Sequence, residues 1–151
     1  MSIDVIALAA DHAGYAMKAA LAADLHALGY QLLDLGTHDG ETAVDYPDFG
    51  DALAAAIADG RAARGLAICG SGIGIAIAAN RHPAVRAALC TSGLMARMAR
   101  THNDANVLAL GSRVIGIETA RDCLHQFLTT DFAGGRHAAR VAKLLPQEAH
   151  R

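Results

Sequence analysis

The chain has 151 residues, 53% of them hydrophobic but only 4% aromatic, with no Trp and a formal net charge of −2. That length predicts a single domain over residues 1–151, able to bury a core without metal or disulfide support, and a core built from Ala, Leu, Ile and Val. The small net charge excludes a general attraction to nucleic acid or to an acidic membrane surface, so any bound anion must be recognised by local groups.

The N-terminus, Met1-Ser2-Ile3-Asp4, lacks a basic leader, and no apolar run approaches the roughly 20 residues of a membrane span. A cytoplasmic protein without a membrane partner is expected. Val5–Ala9 reads as a first apolar strand, followed by the polar turn Asp11-His12-Ala13-Gly14 and a helix from about Tyr15 to Leu28 that Gly29 stops. A second strand is predicted over Gln31–Leu35. A polar loop through Asp45-Tyr46-Pro47-Asp48 then leads into an Ala-rich helix. The third strand, Gly65–Ile68, runs into Cys69 and a glycine turn that opens directly into a helix. The fourth, Arg86–Cys90, precedes a helix through Met95–Ala99; the fifth is Val107–Leu110; a helix follows over about Ile117–Thr129. After the double glycine Gly134-Gly135, a last short helix begins at about Arg136.

Five short strands alternating with helices predict an α/β protein, a three-layer α/β/α sandwich around a Rossmann-like parallel sheet. In such a sheet, ligands gather at the carboxyl ends of the strands. Here that edge collects Asp11, His12, the segment Cys69-Gly70-Ser71-Gly72-Ile73-Gly74, and Gly111 to Arg113.

The glycine turn carries the most chemical information. Glycines at alternate positions let backbone N–H groups approach a ligand, and the first N–H groups of the following helix extend that cradle. Cys69 at the same turn feels the positive end of the helix dipole, which favours its thiolate. Three familiar anion sites do not fit. A dinucleotide fingerprint needs a third glycine where Ile75 stands, and a P-loop needs a Lys that the turn lacks. A cysteine phosphatase needs an Arg six positions after its nucleophile, again the place of Ile75. In isolation Cys69 reads more readily as an inert buried thiol, and Cys90 and Cys123 read as inert in any case.

Outside the turn, each residue has a plain reading beside a chemical one. Three cysteines at wide, irregular spacings argue against a disulfide framework or a zinc site. No His pair shows metal-ligand spacing, and His26, His38, His82, His125 and His150 fall at surface-like positions. Asp11 can cap the turn that follows it, or hydrogen-bond a sugar. His102, opening His102-Asn103-Asp104-Ala105-Asn106 at a helix end, can answer the helix dipole or transfer a proton. Arg136 and Arg140 stand one helical turn apart, a spacing that suits either a solvated face or a phosphate clamp, with Arg113 as the natural third cation.

Together these blocks, with Ala78-Ala79-Asn80, Val107 to Gly111 and Gly134-Gly135-Arg136-His137, resemble the type B ribose-5-phosphate isomerase family, which also contains galactose-6-phosphate isomerase subunits. The match is collinear over nearly the whole chain. The resemblance implies a homodimer with shared active sites, with a tetramer as its further assembly. It implies neither cofactor nor metal, and the interconversion of an aldose phosphate and a ketose phosphate. By the same likeness, Cys69 is the base that moves a proton between carbons 2 and 1, His102 opens the furanose ring, and Asp11 assists exchange between the two oxygens. Gly70, Ser71, Gly72, Ile73 and Gly74 surround the oxyanion. Arg136 and Arg140 hold the phosphate, with Arg113, His12 and His137 nearby, and Asn103 positions sugar hydroxyls. Some relatives carry a glutamate base where Ile75 stands, which points to the cysteine-based branch. Competing expectations are an isomerase of a six-carbon sugar phosphate (allose 6-phosphate or galactose 6-phosphate), a non-catalytic phosphosugar-binding module, and a thiol redox protein, the last lacking a second nearby cysteine.

Overall fold

The computed structural model describes residues 4–145; Met1–Ile3 and the predicted surface residue His150 lie outside them. Five parallel strands, β1 (Val5–Ala10), β2 (Gln31–Asp34), β3 (Arg64–Cys69), β4 (Ala87–Leu89) and β5 (Val107–Gly111), form one sheet in the order β2-β1-β3-β5-β4. Between and after them run α1 (Tyr15–Ala27), α2 (Tyr46–Ala58), α3 (Ile73–Asn80), α4 (Gly93–Asn103), α5 (Ile117–Thr129) and the short α6 (Arg136–Ala142).

Strand alternation divides the core into two layers. Ile6, Leu8 and Ala10 of β1, Leu66 and Ile68 of β3, and Leu108 and Leu110 of β5 pack against α1, α4 and α5 through Leu21, Leu25, Ala96, Cys123 and Phe127. The intervening residues Ala7, Ala9, Ala67, Cys69 and Val107 face α2 and α3, where Leu53, Ala54, Ile75 and Ala79 meet them. Central strands buried on both faces explain the unbroken apolar runs in the sequence. Cys90 and Cys123 lie within the first layer, 1% and 0% exposed. Burial, with Cys123 close by, pushes the Cys90 thiol up to about 12, and burial with Asp122 nearby raises Cys123 as well. Both shifts disfavour the thiolate.

Local signals set the element ends. Ser92 caps α4 by accepting the Met95 N–H at 3.2 Å. Pro47 sits in the first turn of α2, where its missing N–H costs nothing. The strand predicted over Arg86–Cys90 is shorter by one residue at each end, although the Cys90 N–H still donates to the Ala109 carbonyl at 3.1 Å, and side chains brace its start. Asn106 Oδ1 accepts the Arg86 N–H at 2.7 Å, and the Asn80 amide bonds both backbone groups of Ala87, at 2.7 and 2.9 Å. Among the described residues no helix is long and apolar enough to cross a membrane.

Candidate active site

Each strand in a parallel α/β sheet ends where the next helix begins, so strand C-termini and helix N-termini share one edge. The register Cys69↔Gly111 puts the ends of β3 and β5 side by side there. The turns beyond them are stitched together: the Ser112 N–H donates to the Cys69 carbonyl at 3.0 Å, and the Arg113 N–H to the Gly70 carbonyl at 2.9 Å. Ser112 Oγ reaches across to the Ala13 carbonyl at 2.7 Å, tying in the turn after β1. The result is a cleft of about 550 Å³ lined by Asp11, His12, Cys69, Gly70, Ser71, Ile73, Gly74 and Arg113, joined by Ala13, Tyr46, Ile77 and Val114.

At its floor Cys69 is 3% exposed, and the Gly72 N–H donates to its Sγ at 3.1 Å. Such a bond strengthens as the sulfur gains negative charge. Gly72 has φ +78, and a Cβ there would stand 2.8 Å from the Leu110 carbonyl carbon and 3.0 Å from Gly111 N. Only glycine turns the N–H onto sulfur in that space. The next donor, Ile73 N–H, bonds Ser71 Oγ at 3.2 Å. Gly74, which lines the cleft, follows with a first-turn N–H that helix geometry leaves without an i−4 partner.

Asp11 is 7% exposed, and its Oδ1 accepts the Gly14 N–H at 3.0 Å. It caps the turn into α1, as one of its sequence readings has it, and it also lines the cleft. His12 Nδ1 accepts the Val44 N–H at 3.1 Å, which leaves Nε2 to carry the proton of the neutral ring.

Tyr46 has no role in the sequence reading, although it belongs to one of the quoted blocks. As the first residue of α2 it starts at the edge where Cys69 ends, and that topological rule was the signal available. Its ring fills the space of a Gly74 side chain: a Cβ on Gly74 would lie 2.5 Å from Tyr46 Cε2.

The remaining predicted residues lie at the opposite edge. His102 and Asn103 end α4, whose chain returns to the start of β5; the Gly65 N–H donates to the Asn106 carbonyl there at 2.9 Å. Four residue steps, Val107 to Gly111, separate the two edges by roughly 13 Å at about 3.3 Å per step. α6 packs on this end of α4. The His102 and His137 rings stack with centroids 4.6 Å apart and planes 20° apart, and the Ala133 N–H donates to the Thr101 carbonyl at 3.1 Å. Arg136 and Arg140 are exposed beside them. Burial, then the positive charge of Arg136, His102 and Arg140, holds His137 below the ordinary imidazole range. Asn103 opens on a separate cavity with Asn80, Arg86 and Leu144. One chain therefore assembles Asp11, His12, Cys69 to Gly74 and Arg113 in one cleft, and His102, Asn103, Arg136, His137 and Arg140 in a second group across the sheet. Arg113 does not join Arg136 and Arg140 within a chain.

No three His, Cys, Asp or Glu side chains among the described residues come together as a metal site. The other histidines are peripheral: His26, His38 and His125 are exposed, and His82 pairs with Asp51 at 2.9 Å.

Residues 6–144 match the Ribose/Galactose Isomerase family model. Over 146 residues the chain is 40% identical to "Ribose-5-phosphate isomerase B" of Escherichia coli, covering 97% of each protein. It is also 40% identical, over 140 residues, to "D-erythrulose-4-phosphate isomerase" of Pectobacterium atrosepticum, covering 92% of this chain and 91% of that one. The solved structure of Clostridium thermocellum ribose-5-phosphate isomerase B superposes with a TM-score of 0.91 at 51% identity, over 93% of this chain and 94% of that one. With that sheet order and this collinear match, the chain belongs to the ribose/galactose isomerase family.

Proposed function

We propose that the protein interconverts ribose 5-phosphate and ribulose 5-phosphate through a cis-enediolate, with Cys69 as the base. The observation that carries this reading is the Cys69 sulfur at the floor of the cleft, hydrogen-bonded by the Gly72 N–H and flanked by Asp11, His12 and Arg113. Ribose 5-phosphate is mostly a closed furanose. His102 takes the proton of the anomeric hydroxyl and delivers one to the ring oxygen, which frees the aldehyde. The Cys69 thiolate then removes the proton from carbon 2, and the electron pair moves to form the enediolate. Backbone N–H groups from Ser71 to Gly74 hold the developing oxyanion, one well-placed donor being worth roughly 3 kcal/mol. Asp11 exchanges the proton between the two oxygens, and the Cys69 thiol returns its proton to carbon 1. No redox partner or cofactor enters this balance.

The two residue groups become one site in a homodimer, where one protomer supplies the Cys69 cleft and its partner supplies the second group. Proton transfer works over about 3 Å, far less than the span between the sheet edges. Ile73, Ile77 and Val114 on the cleft wall, each more than half exposed, support a second copy covering this rim. Arg136 and Arg140 on α6 then clamp the substrate phosphate with Arg113, while His12, His137 and Asn103 hold the sugar. A tetramer would pair two such dimers, and the working compartment is the cytoplasm.

Substrate length is tested by kcat/KM for ribose 5-phosphate against allose 6-phosphate, galactose 6-phosphate and erythrulose 4-phosphate. A clear preference for the pentose is expected; a preference for a four- or six-carbon substrate overturns the ribose assignment. Cys69→Ala should still bind the sugar phosphate yet lose exchange of the carbon 2 hydrogen with solvent. Unchanged exchange would remove the thiol from the mechanism.

A further inference from the structure

His102 acts only if the last turn of α4 is held still, and that turn ends in an unusual way. Asp104, the residue after Asn103, takes the left-handed conformation with φ 47 and ψ 44, and it is the one non-glycine residue among those described with positive φ. Helix ends of this shape normally carry Gly, or Asn less often. This chain uses glycine at six other positive-φ positions, so an aspartate here calls for a reason in its side chain.

That side chain is held by two arginines. Arg100 Nη1 donates to Asp104 Oδ1 at 3.0 Å, and Arg86 Nη2 stands 3.3 Å from Oδ2. Arg86 Nε also donates to the Asp104 backbone carbonyl at 2.8 Å. Arg100 goes further, donating to the Ala105 carbonyl at 2.7 Å and to the Thr130 carbonyl at 3.1 Å. Thr130 ends α5 and opens the segment that carries α6. The Arg100 and Arg86 side chains are 13% and 24% exposed, in contrast to the exposed Arg136 and Arg140. Arg86 and Arg100 are thus committed to holding protein, whereas Arg136 and Arg140 are exposed and make no side-chain bond among the described residues.

We infer that Asp104 is a positioning residue: through Arg86 and Arg100 it fixes the end of α4 so that the His102 ring meets the furanose ring oxygen. This rests on the isomerase reading above. A carboxylate fastened to β4's approach by one arginine and to α4's own last turn by the other leaves His102 little freedom to swing. A glycine would satisfy the backbone better and hold nothing.

The test compares Asp104→Gly and Asp104→Asn with the wild type in two reactions. The first is conversion of ribose 5-phosphate, which needs ring opening by His102. The second is exchange of the carbon 1 hydrogens of ribulose 5-phosphate with deuterated solvent. That ketose, with its carbon 5 oxygen phosphorylated, cannot close a furanose, so exchange needs the Cys69 cleft but no ring chemistry. Asp104→Gly should lower kcat for ribose 5-phosphate by about tenfold to a hundredfold, the scale of a small misplacement of a catalytic group, with exchange within about twofold of wild type. Asp104→Asn, which tolerates the same backbone and keeps one acceptor for Arg100, should fall between. Parallel loss of both reactions in the folded variants would make Asp104 a general structural residue and overturn the inference, as would a glycine variant equal to wild type. Failure of the wild type itself to convert ribose 5-phosphate would instead strike the isomerase reading.

Discussion

Mixing two inactive variants should restore activity if the site is built from two chains. Cys69→Ala removes the proposed base from one group of residues, and His102→Asn removes the proposed ring-opening imidazole from the other. These groups lie at opposite edges of the sheet, separated by roughly 13 Å along β5, so no side-chain movement unites them within a protomer. When the two variants are mixed, dissociated in mild denaturant and allowed to reassociate at random, half of the dimers are mixed. In each mixed dimer one site carries both lesions and the other carries neither. Activity on ribose 5-phosphate should therefore rise to about one quarter of that of wild-type protein taken through the same cycle. The parents, treated separately, should stay about a hundredfold or more below wild type, the usual worth of a positioned acid or base. A coupled spectrophotometric assay for ribulose 5-phosphate reads the result. A mixture no more active than its parents, while mass spectrometry shows that mixed dimers have formed, would refute the shared site and with it the reasoning from sheet geometry.

Gly74→Ala places a methyl 2.5 Å from Tyr46 Cε2 but meets no positive φ, so Tm should hold while KM for the sugar phosphate rises severalfold as the 43% exposed Tyr46 side chain is pushed aside. In a Tyr46→Ala background the same change should do nothing further, and additive losses would sink this account. Lys18, 2% exposed, donates to Asp34 Oδ1 at 2.6 Å and to the Thr37 carbonyl at 2.8 Å; Lys18→Met should cost roughly 2 kcal/mol in urea unfolding, discounted for the half-exposed carboxylate. Burial raises the Asp34 pKa, but the bonds from Lys18 and the Gly36 N–H and the charges of Lys18 and His38 outweigh it and hold the carboxyl below its ordinary range. The native state then binds that proton less readily than the unfolded chain, so this stability is present above about pH 4 and is lost on further acidification; Lys18→Met should flatten that loss, and an unchanged acid slope would count against the pair. His137 should titrate by NMR below the ordinary imidazole midpoint and move upward in Arg140→Ala, and an unmoved midpoint would remove Arg140 from its surroundings.

Much of this architecture is legible in the residues, and the places where it is not have physical causes. The span Ile117–Thr129 is the same in sequence and structure, because Gly116 precedes it and its amphipathic pattern runs unbroken to its end. The β3 turn is equally plain, since an apolar strand closing on Cys69 and followed by alternating glycines has few other ways to fold. The start of β4 is less so, since the Asn106 and Asn80 side chains bond Arg86 and Ala87 there, and an asparagine in sequence does not announce what it will bond. Arg86 and Arg100 likewise look no different from Arg136 and Arg140 until their partners are seen. Chain order also hid which of these residues stand at which edge of the sheet, although the information was present in helix direction. Helices antiparallel to their strands bring N-terminal residues such as Tyr46 to the Cys69 edge and carry C-terminal residues such as His102 to the far one. Under the proposed mechanism, a catalytic set drawn from both ends of helices in a parallel sheet does not close within one chain, which is why that proposal includes a partner and why the mixing experiment tests it.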